Sequence, residues 1–392
     1  MKPQSGAERG CSNIVDKNLP ANCHAVVLEQ FNRPMQVQSV KMPESIAPGA
    51  ILVKIEVASI CGTDVHLYEG DLSAVIKSNL PIIPGHEMVG RIVTLGEGVT
   101  RDSTGEELKL GDRILWEHAA CGACHYCQVL KEPTLCKNRT IYGMAECCND
   151  SPYLLGGFSE YCYVLPKSGR VKVPDEVKSE WASSVGCALR TVMKGFDRLA
   201  HAGDIKFTDT VLIQGSGPLG LYAIAVASAK SPKEIIVVGG PENRLNVAKS
   251  WGATKVVSVD ELPDADSRVK RVMEMTNGRG ADVIFEMSGA PGAFAEGIEM
   301  IAVNGRYVIV GPTGGPKTPI PVELITKKNI DIIGSWSAGI EHYYKGLQFV
   351  KQHRDKINFD LLFTNKYTFK DINKAIQNMK SAKDIKPLLF PE

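Results

Sequence analysis

Residues 209–230 read DTVLIQGSGPLGLYAIAVASAK. The run Val211–Gln214 is a short aliphatic strand, and Leu221–Lys230 has the composition of a buried helix. Between them Gly215, Gly217 and Gly220 fit the pattern G-x-G-x-x-G, with Pro218 and Leu219 inside it. Glycine pairs are common, so the match alone carries little. Its position, after a strand and at the opening of a helix, marks a dinucleotide-binding turn. The glycines permit the tight turn and let a pyrophosphate approach the helix N-terminus, where unpaired N–H groups favour an anion.

Working outward from this turn, strand-like and helix-like runs alternate. EIIVVGG, ENRLNVAKSWGA, KVVSV, ADVIFEMSG, FAEGIEMIAVNG and RYVIVG follow in order. This rhythm predicts a parallel sheet with helices on both faces. After about Ser335 it breaks into YYKGLQFVKQH and DINKAIQNMKSA, two helix candidates. The strand after the turn ends at Val238-Gly239-Gly240-Pro241-Glu242-Asn243-Arg244, so glycine stands where an acid would bind the ribose hydroxyls. Its absence removes a repulsion against a 2′-phosphate. However, no basic residue follows at once, and Glu242 would repel that phosphate. Arg244 opens the next helix and could reach the adenine side. The balance favours NAD, with NADP admitted.

Before Thr210 the chain has turn-bounded β segments. GAILVKIEVASI alternates apolar and polar residues as a half-buried strand does, and GRIVTLG, GDRILWEH and FSEYCYVLP follow it. The 392 residues are too many for one core and predict two domains. With 45 basic against 44 acidic residues, no charge excess points to nucleic acid. The most apolar stretch is interrupted by glycines and a proline and is no membrane span. The N-terminus lacks the apolar core of a secretory signal, so the cytoplasm is expected, where disulfide frameworks are rare.

That expectation bears on CGACHYCQVLKEPTLC. Cys121, Cys124, Cys127 and Cys136 are spaced C-x2-C-x2-C-x8-C. Four unrelated cysteines or an iron–sulfur cluster are the alternatives; four thiolates closing a zinc tetrahedron are the reading preferred here. Such a site leaves no position for substrate. A second, scattered set consists of Cys61 in ICGTDVH, His86 in PGHE and Cys187 in SSVGC. One histidine and two cysteines make a three-ligand zinc site with an open fourth position, able to act as a Lewis acid.

In combination, ICGTDVH, PGHEMVGRIVTLGEGV, GDRI, CGACHYCQVLKEPTLC, GGFSEY, GSGPLG and NRLNVAKSWGA resemble the zinc-dependent medium-chain alcohol dehydrogenases over nearly the whole chain. The resemblance implies an N-terminal extension over 1–24, a GroES-like β-rich catalytic domain over 25–188, a Rossmann coenzyme domain over 189–335 and a return to the catalytic domain over 336–392. It implies two zinc ions per chain: a catalytic one on Cys61, His86 and Cys187, and a structural one on the four-cysteine lobe. Glu87 matches the acid beside the metal, Thr63 the hydroxyl that bonds the substrate oxygen, His66 the outer member of a proton relay and Thr191 a residue near the nicotinamide. A homodimer or homotetramer is expected.

The implied reaction is reversible hydride transfer between an alcohol and NAD(P). A zinc-free quinone or enone reductase and a non-catalytic NAD(P)H-binding protein are the rivals, and the metal ligands with Thr63 and His66 argue against both. Trp116, Glu117 and Phe158 are expected to line the substrate pocket. Glu117 and His118 hint at a polar substrate.

Overall fold

The computed structural model describes residues 19–74, 76–311 and 319–392. Most of the extension expected over 1–24 lies outside the described residues, and the strand Asn22–Val27 already falls within its last part.

The strand Thr210–Gln214 is buried at every position because it lies at the centre of a six-stranded parallel sheet. Its neighbours are Glu234–Gly239 on one side and Ala281–Glu286 on the other, with Val211 opposite both Ile235 and Val283. Lys255–Ser258 lies beyond the first, and Ile301–Ile309 and Asp331–Gly334 beyond the second. The strand order therefore reverses at Thr210–Gln214, and in such sheets the ligand crevice opens at the carboxyl ends of the strands flanking that point. Here those ends are Gly215 and Met287. A Cβ on Gly215 would lie 3.0 Å from Ser288, so glycine lets the two loops close together.

The remaining strands form a seven-stranded, mainly antiparallel sheet. Its path runs Lys366–Thr368, Leu388–Phe390, Ile51–Ser59, Met88–Leu95, Arg113–Trp116 and Arg170–Lys172, with Tyr161–Val164 also paired to Ile51–Ser59. The chain thus leaves this sheet to build the parallel one and returns to finish it. Ile51–Ser59 differs from its predicted half-buried character: only Lys54 is exposed. It pairs along its edges with Met88–Leu95, Tyr161–Val164 and Leu388–Phe390, the helix Ser179–Ser184 packs against it, and its side chains enter two apolar clusters, Val57 one and Leu52, Val53 and Ile55 the other.

One apolar cluster runs from Val57, Val89 and Leu115 of the mixed sheet to Val211, Ile213 and Phe285 of the parallel sheet. The helix Arg190–Ala200 carries it across, with Phe196 stacked on Phe285 at 4.4 Å between ring centroids. The active-site cleft opens beside this shared core.

Candidate active site

Cys61 caps the helix Gly62–Glu69 immediately after the strand Ile51–Ser59. The backbone N–H of Cys61 donates to Asp64 Oδ2 at 2.8 Å, and the Cys61 sulfur faces the Asp64 N–H in return, a capping box that fixes the start of the helix. The other oxygen of Asp64 lies 3.2 Å from His86 Nδ1, and both side chains are buried. This contact fixes the imidazole: with Nδ1–H donating to the carboxylate, Nε2 is left as an acceptor. His86 Nε2 is buried and has no hydrogen-bond partner. Cys187 sits in a five-residue π-helical turn, Val185–Leu189, between Ser179–Ser184 and Arg190–Ala200. Such turns re-aim a side chain within an otherwise continuous helix.

The ligand atoms of Cys61, His86, Glu87 and Cys187 all lie within 4.8 Å of one another. Burial disfavours a proton on His86, but the Asp64 carboxylate outweighs it and raises this group to about 10. The field that would hold a proton at Nε2 equally favours a metal ion there. Cys61 is driven well below the ordinary thiol range, first by the Cys187 sulfhydryl and then, against burial, by His86 and Lys386. An orphaned imidazole nitrogen between a thiolate and a second sulfur is a donor set that fits zinc.

Glu87 is buried behind this cluster. Its Oε2 accepts from the Ser59 hydroxyl at 2.5 Å and pairs with the ammonium of Lys386. Burial alone would strip the proton from Lys386, but the Glu87 carboxylate and the Cys61 sulfur hold it on more tightly than in water.

In the four-cysteine lobe, Cys124 Sγ lies 3.6 Å from Cys127 Sγ and 3.8 Å from Cys136 Sγ, which is 3.5 Å from Cys121 Sγ. A tetrahedron with Zn–S bonds of about 2.3 Å places its sulfurs about 3.8 Å apart. Disulfide sulfurs would be about 2 Å apart. The N–H groups of Cys121 and Ala123 point at Cys136 Sγ and Cys121 Sγ, each at 3.5 Å, and so favour thiolates.

Between the two sheets lies a cleft of about 300 Å³ that reaches Cys61, His86 and Cys187. Thr63, His66 and Thr191 border it, as do Gly217, Pro218 and Leu219 of the glycine-rich turn. The Thr63 hydroxyl lies 3.6 Å from Cys61 Sγ, and half-exposed His66 lies 3.4 Å from Asp71. Gly220 is obligatory, since a Cβ there would meet Gly215 O at 1.9 Å. Gly217 faces open space apart from Arg244, whose Nη1 would be 4.0 Å from an added Cβ. Arg244 Nη2 donates to Asp384 O at 2.9 Å. At Gly239 a Cβ would lie 2.5 Å from Ser216 Oγ, which is held by Gly240 N–H and C=O, each at 2.9 Å. Ser216 has taken the space an acid would need.

These features match known proteins. The zinc-binding dehydrogenase family covers residues 218–352, and the alcohol dehydrogenase GroES-like domain covers 47–175. The 5-exo-hydroxycamphor dehydrogenase of Pseudomonas putida is 36% identical over 346 residues, spanning 88% of this chain and 92% of that protein. The chain belongs to the zinc-dependent medium-chain alcohol dehydrogenase family. The L-threonine 3-dehydrogenase of Pyrococcus furiosus is 34% identical over 342 residues, 86% of this chain and 89% of its own. The crystal structure of an alcohol dehydrogenase from Thermotoga maritima superposes with a TM-score of 0.85 at 34% identity, covering 95% of this chain and 100% of that one. This medium-chain dehydrogenase is accordingly a zinc- and NAD(P)-dependent oxidoreductase of alcohol and carbonyl substrates, with a GroES-like domain joined to a Rossmann domain.

The substrate-pocket expectation requires correction. Phe158 has no exposed surface and packs against Gly85, where an added Cβ would meet its ring at 2.4 Å. Trp116 is buried in the core of the mixed sheet, edge-on to Tyr142. Glu117 alternates to the opposite side of that strand end and borders a small recess behind the cleft. None of the three lines the cleft, whereas His118 does. A strand-end register decides this, and one sequence cannot fix it. Sequence reasoning also passed over Asp64, Lys386 and Arg139. Asp64 was within reach, because an acid three residues after the helix-capping Cys61 is the spacing of a capping box. Lys386 gave no local signal.

Proposed function

We propose that this dehydrogenase oxidises a secondary alcohol to a ketone, reversibly, with NAD as its preferred coenzyme. The observation that carries the reading is the convergence of His86 Nε2, orphaned and buried, with Cys61 and Cys187 at a cleft whose other wall is the glycine-rich turn. A zinc ion held by these three residues supplies Lewis acidity at the substrate oxygen and lowers the pKa of the hydroxyl. Thr63, beside Cys61, would take the hydroxyl proton as it gives up its own, and half-exposed His66 on the same cleft wall is the outlet to solvent. A coenzyme held by the Gly215–Gly220 turn, with Thr191 beside it on the cleft wall, would supply the hydride acceptor that turns the alcohol carbon into a carbonyl. Glu87, neutralised by Lys386, holds the strand end that presents His86, and the four-cysteine lobe carries a structural zinc.

The secondary-alcohol reading is supported by the two named relatives, each called after oxidation at a ring or chain carbon rather than a terminal one. The coenzyme preference is supported by Glu242, exposed beside the Gly239 turn, and by Arg244 being tied to Asp384. Assembly as a homodimer or homotetramer is supported by the edge strand Asp331–Gly334, where Ile332 is 42% exposed. A reducing, cytoplasmic setting is supported by unbridged thiols throughout the described residues. The test is turnover of a panel of primary and secondary alcohols with NAD and NADP, before and after metal removal. Zinc-dependent turnover of secondary alcohols with NAD is expected. Silence with coenzyme bound and zinc on the cysteine lobe alone would overturn the catalytic assignment.

A further inference from the structure

We propose that Arg139 and His118 form a carboxylate-binding subsite in the wall of this cleft, so that the substrate is a secondary alcohol bearing a carboxylate. The proposal rests on the dehydrogenase reading above and specifies its substrate class.

Two guanidinium groups, Arg139 and Arg190, border the cleft together. Neither forms an ion pair with any carboxylate among the described residues, although salt bridges are frequent elsewhere in the molecule. Arg190 is buried and otherwise satisfied: its Nε donates to Gly186 O at 2.5 Å, its Nη1 to Ala338 O at 2.8 Å, and its plane lies over Tyr343. Arg139 is not. Among the described residues its one side-chain hydrogen bond is a 3.3 Å contact from Nη1 to the Ser337 hydroxyl, and its Nε is buried without a partner. Burial and the neighbouring Arg190 both weigh against the charge on Arg139. Arg139 is half-buried, and a guanidinium whose Nε is shut away from water without a partner is costly, an arrangement that a ligand at the cleft would complete.

His118 adds a second donor. Its Nδ1 accepts the Tyr142 backbone N–H at 3.2 Å while the ring stacks on Tyr142. The proton of the neutral ring must then sit on Nε2. Burial, with Arg190 and Arg139 nearby, keeps the ring neutral. The cleft wall thus presents a guanidinium and an imidazole N–H, and among the described residues neither is ion-paired with a carboxylate. Ile141, Met144, Trp336 and Met379 also border the cleft and offer apolar surface for a hydrocarbon skeleton. Glu117 borders the recess behind His118 and Arg139 and favours the charge on both arginines, but it forms no salt bridge with either, and burial pushes its own carboxyl up to about 7. The coenzyme pyrophosphate is served elsewhere, by the Gly215–Gly220 turn with Arg244 beside it.

The experiment compares a short series of secondary hydroxycarboxylates, 3-hydroxybutyrate first, with their methyl esters. The zinc-loaded enzyme and its Arg139→Leu and Arg139→Lys variants are used. The wild type is expected to prefer the acid, and Arg139→Leu to lower the acid-to-ester ratio of kcat/KM by about 10- to 100-fold, the worth of one charge-assisted hydrogen bond. Arg139→Lys should restore part of the ratio, which a merely structural role would not do. An unchanged ratio, or a loss confined to the KM for coenzyme, would overturn the subsite. If neither acid nor ester is turned over, the unsubstituted secondary alcohols of the panel tell the two readings apart: turnover of those keeps the dehydrogenase reading, and silence there too overturns it. Calorimetric binding of the hydroxycarboxylates then decides the subsite alone: weaker binding to Arg139→Leu supports it, and equal binding overturns it.

Discussion

Lys386 and Glu87 form an ion pair in which neither side chain has any exposed surface, and they come from opposite ends of the chain. The pair sits behind the cleft cysteines, next to the strand-end contact in which Ile60 N–H donates to Pro387 O at 2.9 Å. Removing one partner strands a charge in the interior, which costs about 3–5 kcal/mol. Lys386→Met should therefore destabilise the protein by that order in urea unfolding. The double variant Glu87→Gln, Lys386→Met should recover most of the loss. A strictly additive double variant would show that the two do not act as a pair.

The two cysteine clusters should separate on metal analysis. Cys61→Ser is expected to remove one zinc and abolish turnover while leaving the melting temperature close to that of the wild type. Cys124→Ser is expected to remove the other zinc and lower the melting temperature, because the lobe has little core of its own. Zinc content and melting curves measured on the same samples would decide, and indistinguishable variants would refute the division.

Gly239→Asp tests why the acid is missing. The new Cβ would strike Ser216, so the substitution should cost about 1–3 kcal/mol through overpacking and weaken NAD binding. Adding Ser216→Gly removes the obstructing hydroxymethyl group and should return part of both losses. Coenzyme titration by fluorescence and urea unfolding are the readouts.

Glu117 should leave a mark on the pH dependence of stability. Burial, then the charge of Glu341, raises its carboxyl to about 7 in the folded protein against an ordinary 4.5. Between these values the folded state binds the proton and the unfolded state does not, so this group's contribution falls as pH rises from about 4.5 to 7. Glu117→Gln removes the effect. The stability of the variant relative to wild type should climb across that window and level off above it. A flat difference would mean that the carboxyl titrates normally.

The parallel sheet was legible because two local signals, aliphatic strands and the glycine-rich turn, coincided from Thr210 onward. The metal ligands were legible because thiols and a histidine in such motifs have few other uses. What escaped depended on contacts between distant segments. Whether Trp116, Glu117 or His118 faces the cleft is set by one step of strand register. Lys386 is an unremarkable lysine until the last strand carries it beneath Glu87. The solitary state of Arg139 is a property of the assembled cleft, since it consists of partners that are not there.

The position of Leu388–Phe390, between Lys366–Thr368 and Ile51–Ser59, has a consequence for biosynthesis. Domains fold as they emerge from the ribosome, N-terminal segments first. Here the nucleotide-binding sheet can form on the nascent chain, but the first-made sheet must wait for Lys366–Thr368 and Leu388–Phe390, which follow it in the chain. Until they are released, Glu87 lacks its counter-ion and the strand leading to Cys61 lacks a neighbour. The catalytic centre is thus finished only once Lys386 and Leu388–Phe390 have been made, and a chain cut before Lys386 is expected to keep the coenzyme-binding sheet while leaving Glu87 without its counter-ion.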